Sequence, residues 1–359
     1  MTDPATGLDL REPAAKPALL RSLADFTREE LAALLSEWGQ PAYRVGQIWQ
    51  WVYGRQELDP SAMTDLPAPL REALAARTVP AMLRPVNVAL SADGSRKILW
   101  ECGDGARIET VHMPHRDGRL SLCLSSQVGC ALACSFCATG SLGLKRHLTG
   151  GEYLEQVLQP HRMFGQRPDN LVLMGMGEPL HNRRHLDAFL ARLSDKDGYN
   201  FSLSRVTLST AGMLPELEDF NRAWPQVNLA VSLVSPFDAT RSALMPINKR
   251  YPVAAIAESI RRLDLGWGAR LTLEYPLMAG VNDRPADARE IVRVFGPLKV
   301  KVNLIPYNRT SHAGFARPEL ERIEDFQRRL KAGGIPAFIR WSKGQDVAAA
   351  CGQLAATTV

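Results

Sequence analysis

The sequence has no uninterrupted apolar stretch of roughly 18 residues, the length a membrane-spanning helix needs, so no span is expected. Its start, Met-Thr-Asp-Pro-Ala-Thr-Gly-Leu-Asp-Leu-Arg-Glu, is polar and lacks the apolar core of a secretory signal. A soluble, cytoplasmic protein without membrane contact is the expectation. Cysteine is scarce as well: six in 359 residues are too few for a disulfide scaffold. Lysine gives way to arginine, nine against 34, within a net charge of only +5. Guanidinium groups suit phosphate pairing and base stacking and so admit RNA as a partner, but codon bias would give the same composition. No disorder-type composition covers the bulk of the chain, and no solenoid-type repeat is visible. What remains is ordinary globular material, 45% hydrophobic and 23% charged, long enough for two units or for one large unit with an appendage.

Local signals divide the chain. Residues 1–18 are rich in Ala, Pro and charge without a period and read as a flexible tail. Thr27-Arg28-Glu29-Glu30 is a capping box ahead of Leu31, Leu34 and Leu35 at helical spacing, and a second helix is expected through Tyr43–Tyr53. The Trp and Tyr residues there read as core rather than as a nucleic-acid platform. Between 84 and 126, Lys97–Trp100, a Gly103-Asp104-Gly105 turn, Ala106–Val111 and Leu120–Leu124 read as hairpin strands. Downstream, β-type runs at Asn170–Met174, Arg205–Leu208, Val227–Val231, Leu271–Glu274, Val300–Leu304 and Ile335–Ile339 alternate with amphipathic helical stretches. That alternation predicts an α/β fold with a parallel sheet; about six units suit an open, partial barrel better than a closed eight-fold one. Gly and polar residues follow several runs, at the strand ends where parallel α/β folds place ligands.

Four of the cysteines fall between 123 and 137, and Cys130-Ala-Leu-Ala-Cys134-Ser-Phe-Cys137 spaces three thiols in one tight loop. Structural zinc wants four protein ligands, commonly as two Cys-x2-Cys halves, and no second half is present. Three thiolates suit a [4Fe–4S] cluster with one iron open to a small molecule. Zinc completed by Cys123 or Cys102 is the competing reading.

The triad, with Phe136 before its last cysteine, resembles the radical S-adenosylmethionine (SAM) superfamily. Ser125–Cys130, Met174–Pro179, Val206–Thr210, Met245–Lys249, Asn303–Pro306 and Ala349–Leu354 together resemble the RlmN/Cfr family of adenosine methyltransferases acting on ribosomal RNA, in order over about residues 22–355. The resemblance implies a partial (β/α)6 radical-SAM barrel at 120–345, a helical accessory domain at 19–83, a β-hairpin extension at 84–119 and a C-terminal segment at 346–359. It implies a cluster on Cys130, Cys134 and Cys137, and SAM, used twice per turnover, near Gly177, Glu178, Ser209, Ser232, Leu233, Val234 and Asn308. Cys351 would be the methyl carrier, Glu109 the acceptor of the adenine C2 proton, and Cys123 the resolving thiol that pairs with Cys351 in a transient disulfide. The implied partners are ribosomal RNA, transfer RNA as a further substrate, and a flavodoxin- or ferredoxin-type electron donor to a monomer.

Each of these residues also has a bland reading. Cys351 alone would be a buried inert thiol, Glu109 a solvated face residue, Gly177-Glu178 a turn, and Cys102 and His112 structural. Val234-Ser235 replaces the His-Ala usual in the family, and Arg340-Trp341-Ser342-Lys343 is less basic than the family's run. Pro179 and the helical N-terminal unit favour the C2 branch over the C8 branch. A zinc- or cluster-bearing RNA-binding protein without catalysis is the alternative from another class.

Overall fold

The computed structural model describes residues 3–11, 20–266, 270–310 and 313–356. The N-terminal unit is three short helices, α1 (Arg28–Glu37), α2 (Tyr43–Trp49) and α3 (Ala68–Ala75), with a π-helical turn, Gln50–Gly54, extending α2. The Thr27 hydroxyl accepts from the Glu30 amide, and Glu30 accepts from the Thr27 amide, so two orphan donors of α1 are satisfied reciprocally. Leu31, Leu35, Trp49, Trp51, Val52 and Tyr53 are buried, so these aromatic residues are core, whereas Tyr43 is exposed.

Three antiparallel strands follow, β1 (Leu83–Leu90), β2 (Arg96–Cys102) and β3 (Arg107–Pro114). Then β4 (Leu120–Cys123) pairs antiparallel to β3 on one side and parallel to the next barrel strand on the other. A two-stranded ribbon, β5 (Gln127–Gly129) and β6 (Leu144–His147), brackets the cysteine loop. Thereafter strand and helix alternate: α4 (Gly150–Phe164), β7 (Asn170–Leu173), α5 (Arg183–Leu193), β8 (Val206–Thr210), α6 (Leu214–Ala223) and β9 (Asn228–Ser232). The series continues with α7 (Asp238–Leu244), α8 (Val253–Arg262), β10 (Leu271–Leu277), α9 (Pro285–Phe295), β11 (Val300–Pro306), α10 (Leu320–Ala332) and β12 (Ala337–Ile339).

The main sheet runs β1-β2-β3-β4-β7-β8-β9-β10-β11-β12, parallel from β4 onward. Six βα units and a closing strand make an open barrel, with β1 and β12 as its edges. Inner strands such as β10 are buried along nearly their whole length, Thr272 and Glu274 of β10 included. The carboxyl ends of these strands open on one side, beside the cysteine loop.

Two contacts join the outlying parts to the barrel. Glu155 of α4, fully buried, accepts from the Met82 and Leu83 amides and the Ser22 hydroxyl, and burial raises its carboxyl to about 7. Residues 3–11 depart from the flexible tail expected for 1–18. Leu8 packs against Cys130, Leu132, Val234 and Met245, and the Leu10 carbonyl meets His181 Nε2 at 2.8 Å. Hydrophobic contact from outside the sequence neighbourhood decides this, and composition could not signal it.

Candidate active site

The strand ends and the cysteine loop enclose a cavity of about 190 Å³. Cys130, Cys134 and Cys137 line it, together with Gly177, Glu178, Ser209, Ser232, Val234, Asn308 and Cys351. Most of the residues singled out from the sequence are therefore brought together, although they come from six separate segments of the chain. The loop's own geometry begins at Gly129, whose φ of +78° and closeness to the Gly143 carbonyl, 1.8 Å from where a Cβ would sit, admit only glycine. The Cys130 amide then donates to that carbonyl at 3.1 Å.

Burial raises all three thiols, Cys130 to about 12. They are poised to give up protons only to a group whose positive charge offsets the desolvation. Among the described residues no three Cys, His, Asp or Glu side chains converge closely enough to chelate one ion. Structural zinc takes four protein ligands, whereas three thiols on one loop suit a [4Fe–4S] cluster.

Glu274 and Glu178 both line the cavity, and Glu178 is the one that backbone amides hold. Its backbone amide donates to Gln127 Oε1 at 2.8 Å, and its side chain accepts from the Ala211 amide at 2.8 Å and the Leu180 amide at 3.1 Å. Burial outweighs these bonds and raises it to about 7, so a cationic ammonium entering the cavity would draw out its charged form. Gly177, at φ +101°, could carry no side chain, since Ser126 and Gln127 lie within 3 Å of the position a Cβ would take.

The three-residue stretch after β9 divides. Ser232 and Val234 line the cavity, whereas Leu233 is wholly buried in the main core and its amide bonds to the Glu274 carbonyl. The Leu233 side chain thus does not line the cavity. Val234 adopts a left-handed φ of +61°, an uncommon and costly state for a β-branched residue; its carbonyl accepts from Asn282 Nδ2 at 2.6 Å. Arg241, buried and bonded to the carbonyls of Ala211, Ser232 and Leu233, ties two strand ends together. Sequence reading missed Arg241, Gln127 and Glu274, since an isolated Arg, Gln or Glu carries no periodic signal.

Cys351 lines the cavity; the residue is exposed overall, while burial at the thiol, and then the nearby Glu274 carboxylate, raise the thiol above its usual range. Its carbonyl accepts from Asn308 Nδ2 at 3.1 Å. Cys123, at the end of β4, is buried and its thiol is raised, first by burial and then by the charge of Cys351. Glu109 does not line the cavity. It is fully buried behind the C-terminal segment, with Oε2 accepting from the Ala355 and Ala356 amides at 2.9 and 3.1 Å. Its Oε1 lies 2.9 Å from Lys97 Nζ, itself buried, which also reaches the Ala348 carbonyl at 3.4 Å. The solvated face expected for an isolated Glu on a hairpin strand is excluded.

Comparison with known proteins accords with this geometry. The radical SAM superfamily profile matches residues 124–292, and the ribosomal RNA large subunit methyltransferase N-terminal domain matches 21–79. The dual-specificity RNA methyltransferase RlmN of Anaeromyxobacter dehalogenans is 44% identical over 93% of this chain and 91% of its own. That of Rhodospirillum rubrum is 41% identical over 99% and 85%. A radical SAM methyltransferase from Sphaerobacter thermophilus, 44% identical, superposes with a TM-score of 0.90 over 94% of this chain and 100% of its own. An iron–sulfur cluster and SAM are the cofactors this architecture serves, and RNA is the substrate. No described helix is long and apolar enough to cross a membrane. The chain belongs to the RlmN family of radical SAM RNA methyltransferases.

Proposed function

We propose that the protein methylates carbon 2 of an adenosine in large-subunit ribosomal RNA, and of transfer RNA, by way of a methylated Cys351. The observation that carries the reading is the placement of Cys351 in one cavity with the three-cysteine loop and Glu178. Adenine C2 is electron-poor and cannot attack a methyl sulfonium as an amine would, so a radical route is needed. The cluster, when bound, supplies that route by reductive cleavage of SAM to a 5′-deoxyadenosyl radical.

The chain's own residues do the rest. Cys130, Cys134 and Cys137 hold the cluster, and Glu178, Ser209, Ser232 and the Val234 backbone receive SAM. The Cys351 thiolate takes a methyl from a first SAM, releasing S-adenosylhomocysteine, and presents it beside the cluster loop, where the adenosyl radical from a second SAM would take one hydrogen atom to become 5′-deoxyadenosine and leave a carbon radical that adds to C2. Glu109 takes the C2 proton. For that it must leave the Ala355 and Ala356 amides, so RNA entry has to lift the C-terminal segment. The Cys123 thiolate attacks the Cys351 sulfur, the S–CH2 bond breaks and the departing carbon takes a proton to become methyl, leaving a Cys123–Cys351 disulfide for outside reductant and one surplus electron that the bound cluster would take up. The relatives' RlmN character supports C2 over C8. A flavodoxin- or ferredoxin-type electron donor, a monomeric state and a cytoplasmic location complete the proposal.

Cys123→Ala should purify with RNA bonded to Cys351, detected by nuclease digestion and peptide mass spectrometry, while wild type yields 2-methyladenosine. Free Cys123→Ala protein from cells in which the wild type methylates RNA would overturn the thiol roles.

A further inference from the structure

Trp341 lies two residues beyond the edge strand β12 and is 53% exposed, whereas Trp49, Trp51 and Trp100 are buried. Among the described residues it is the tryptophan that faces solvent. An exposed indole offers solvent a large flat face on which a planar group can stack. Its place is tied to the methyl carrier through two hydrogen bonds. Asn308 Nδ2 donates both to the hydroxyl of the next residue, Ser342, at 2.8 Å and to the Cys351 carbonyl at 3.1 Å.

The surroundings select a polyanion with flat groups. Arg317 is held by the Tyr307 carbonyl at 3.0 Å, Asn308 Oδ1 at 3.3 Å and Gln345 Oε1 at 2.8 Å, which sets its guanidinium 6.0 Å from the Trp341 ring centroid. Arg340, the residue before Trp341, and Arg309, the residue after Asn308, are exposed. Cationic groups that follow a phosphate backbone, beside an aromatic face on which a base can stack, are the two elements by which proteins grip single-stranded RNA.

We propose that Trp341, oriented with Arg317, is a stacking platform for an unpaired RNA base that neighbours the adenosine entering the cavity. The platform rests on the RNA methyltransferase reading and deepens it, since it assigns a subsite to the flanking nucleotide. The base stacks on the open face of the indole, and the arginine holds the adjoining phosphate. Stacking of this kind contributes about 1–3 kcal/mol per base, or roughly 5- to 150-fold in affinity.

The test uses the full chain, reconstituted with its cluster, and a fluorescent RNA hairpin carrying the adenosine in its loop. By anisotropy, Trp341→Ala should bind roughly 5- to 150-fold more weakly and Trp341→Phe within about 3-fold of wild type. An abasic nucleotide 5′ or 3′ of the adenosine should cost wild type the same factor, and cost Trp341→Ala nothing more. Methyl transfer from SAM to Cys351 without RNA should be unchanged in both variants; if it falls in Trp341→Ala, the abasic arm on the intact protein decides. RNA affinity that is indifferent to Trp341 and to both abasic positions overturns the platform, whether or not reduction by an electron-donor protein slows. Because the readout is binding, a failure to find methyl at C2 is a separate result and bears only on the regiochemistry.

Discussion

Two walls of one cavity are built in different ways. The barrel wall places Ser209, Ser232 and Glu178 on or just beyond parallel strands, whose ladders and apolar interior fix them cooperatively. The facing wall is the C-terminal segment, residues 340–356, which has one 3-10 turn and left-handed residues at Gly344, Ala348 and Gly352. Side chains hold it. Asp93 accepts from the Gly344 amide at 2.9 Å, and Asp346 accepts from the Ser91 hydroxyl and Ala92 amide. Lys97 reaches Ala348, Glu109 accepts from Ala355 and Ala356, and Thr139 of the cysteine loop donates to the Leu354 carbonyl at 2.7 Å. A wall made of sheet moves only if the core opens. A strap made of separate polar bonds can lift by itself, which suits the methyl-carrier role proposed for Cys351.

The comparison is broken most directly at the cluster loop. Cys130→Ala, Cys134→Ala or Cys137→Ala should each abolish the iron–sulfur absorbance of anaerobically reconstituted protein and all RNA methylation, with circular dichroism unchanged. A variant that keeps the absorbance, or protein that takes up zinc alone, would show that the loop holds something else.

The next largest effect belongs to the strap. Lys97→Met leaves the Glu109 carboxylate buried without its cation, at a cost of about 3–5 kcal/mol in urea unfolding. Pairing it with Glu109→Gln should recover much of that loss in a double-mutant cycle. Additive losses would mean that the two side chains act independently, and the strap would lose its central tie.

The smallest effect separates the walls by pH. Hydrogen bonds from Ser95 and Gly344 hold Asp93 at about 2, and Asp346 is lowered by Ser91 and Ala92. A carboxyl lowered on folding stabilises fully above its ordinary value, here 3.8, and loses that contribution as pH falls through the folded one. Glu178 runs the other way: raised to about 7, its contribution is complete below 4.5 and is lost as pH rises through about 7. Hydrogen exchange in residues 344–348 should therefore accelerate between about pH 4 and pH 2, after correction for intrinsic rates, ahead of β8 and β9. Equal acceleration in strap and strands would erase the distinction.

Some of this was legible before any coordinates. The capping box at Thr27 and Glu30, the six β-type runs and the cysteine loop all depend on spacing within a few residues, and spacing is what a sequence displays. The dual pairing of β4, antiparallel to β3 and parallel to β7, was not legible, because nothing in Leu120–Cys123 states which neighbours it will have. Nor was the packing of Leu8 onto the cysteine loop, or the turn of Leu233 into the core between Ser232 and Val234.

The sequence by itself determined the repeating βα order, the three thiols of the loop and the family, since these rest on residue type and local period. Tertiary structure alone decided that residues as far apart as Cys130, Glu178, Asn308 and Cys351 share one cavity. It also decided that Glu109 is shut behind Lys97 and the C-terminal amides. The physical reason is that burial and hydrogen-bond partners belong to the packed chain: a carboxylate on a hairpin strand is solvated or sealed according to what folds over it, and that cover comes from the far end of the sequence.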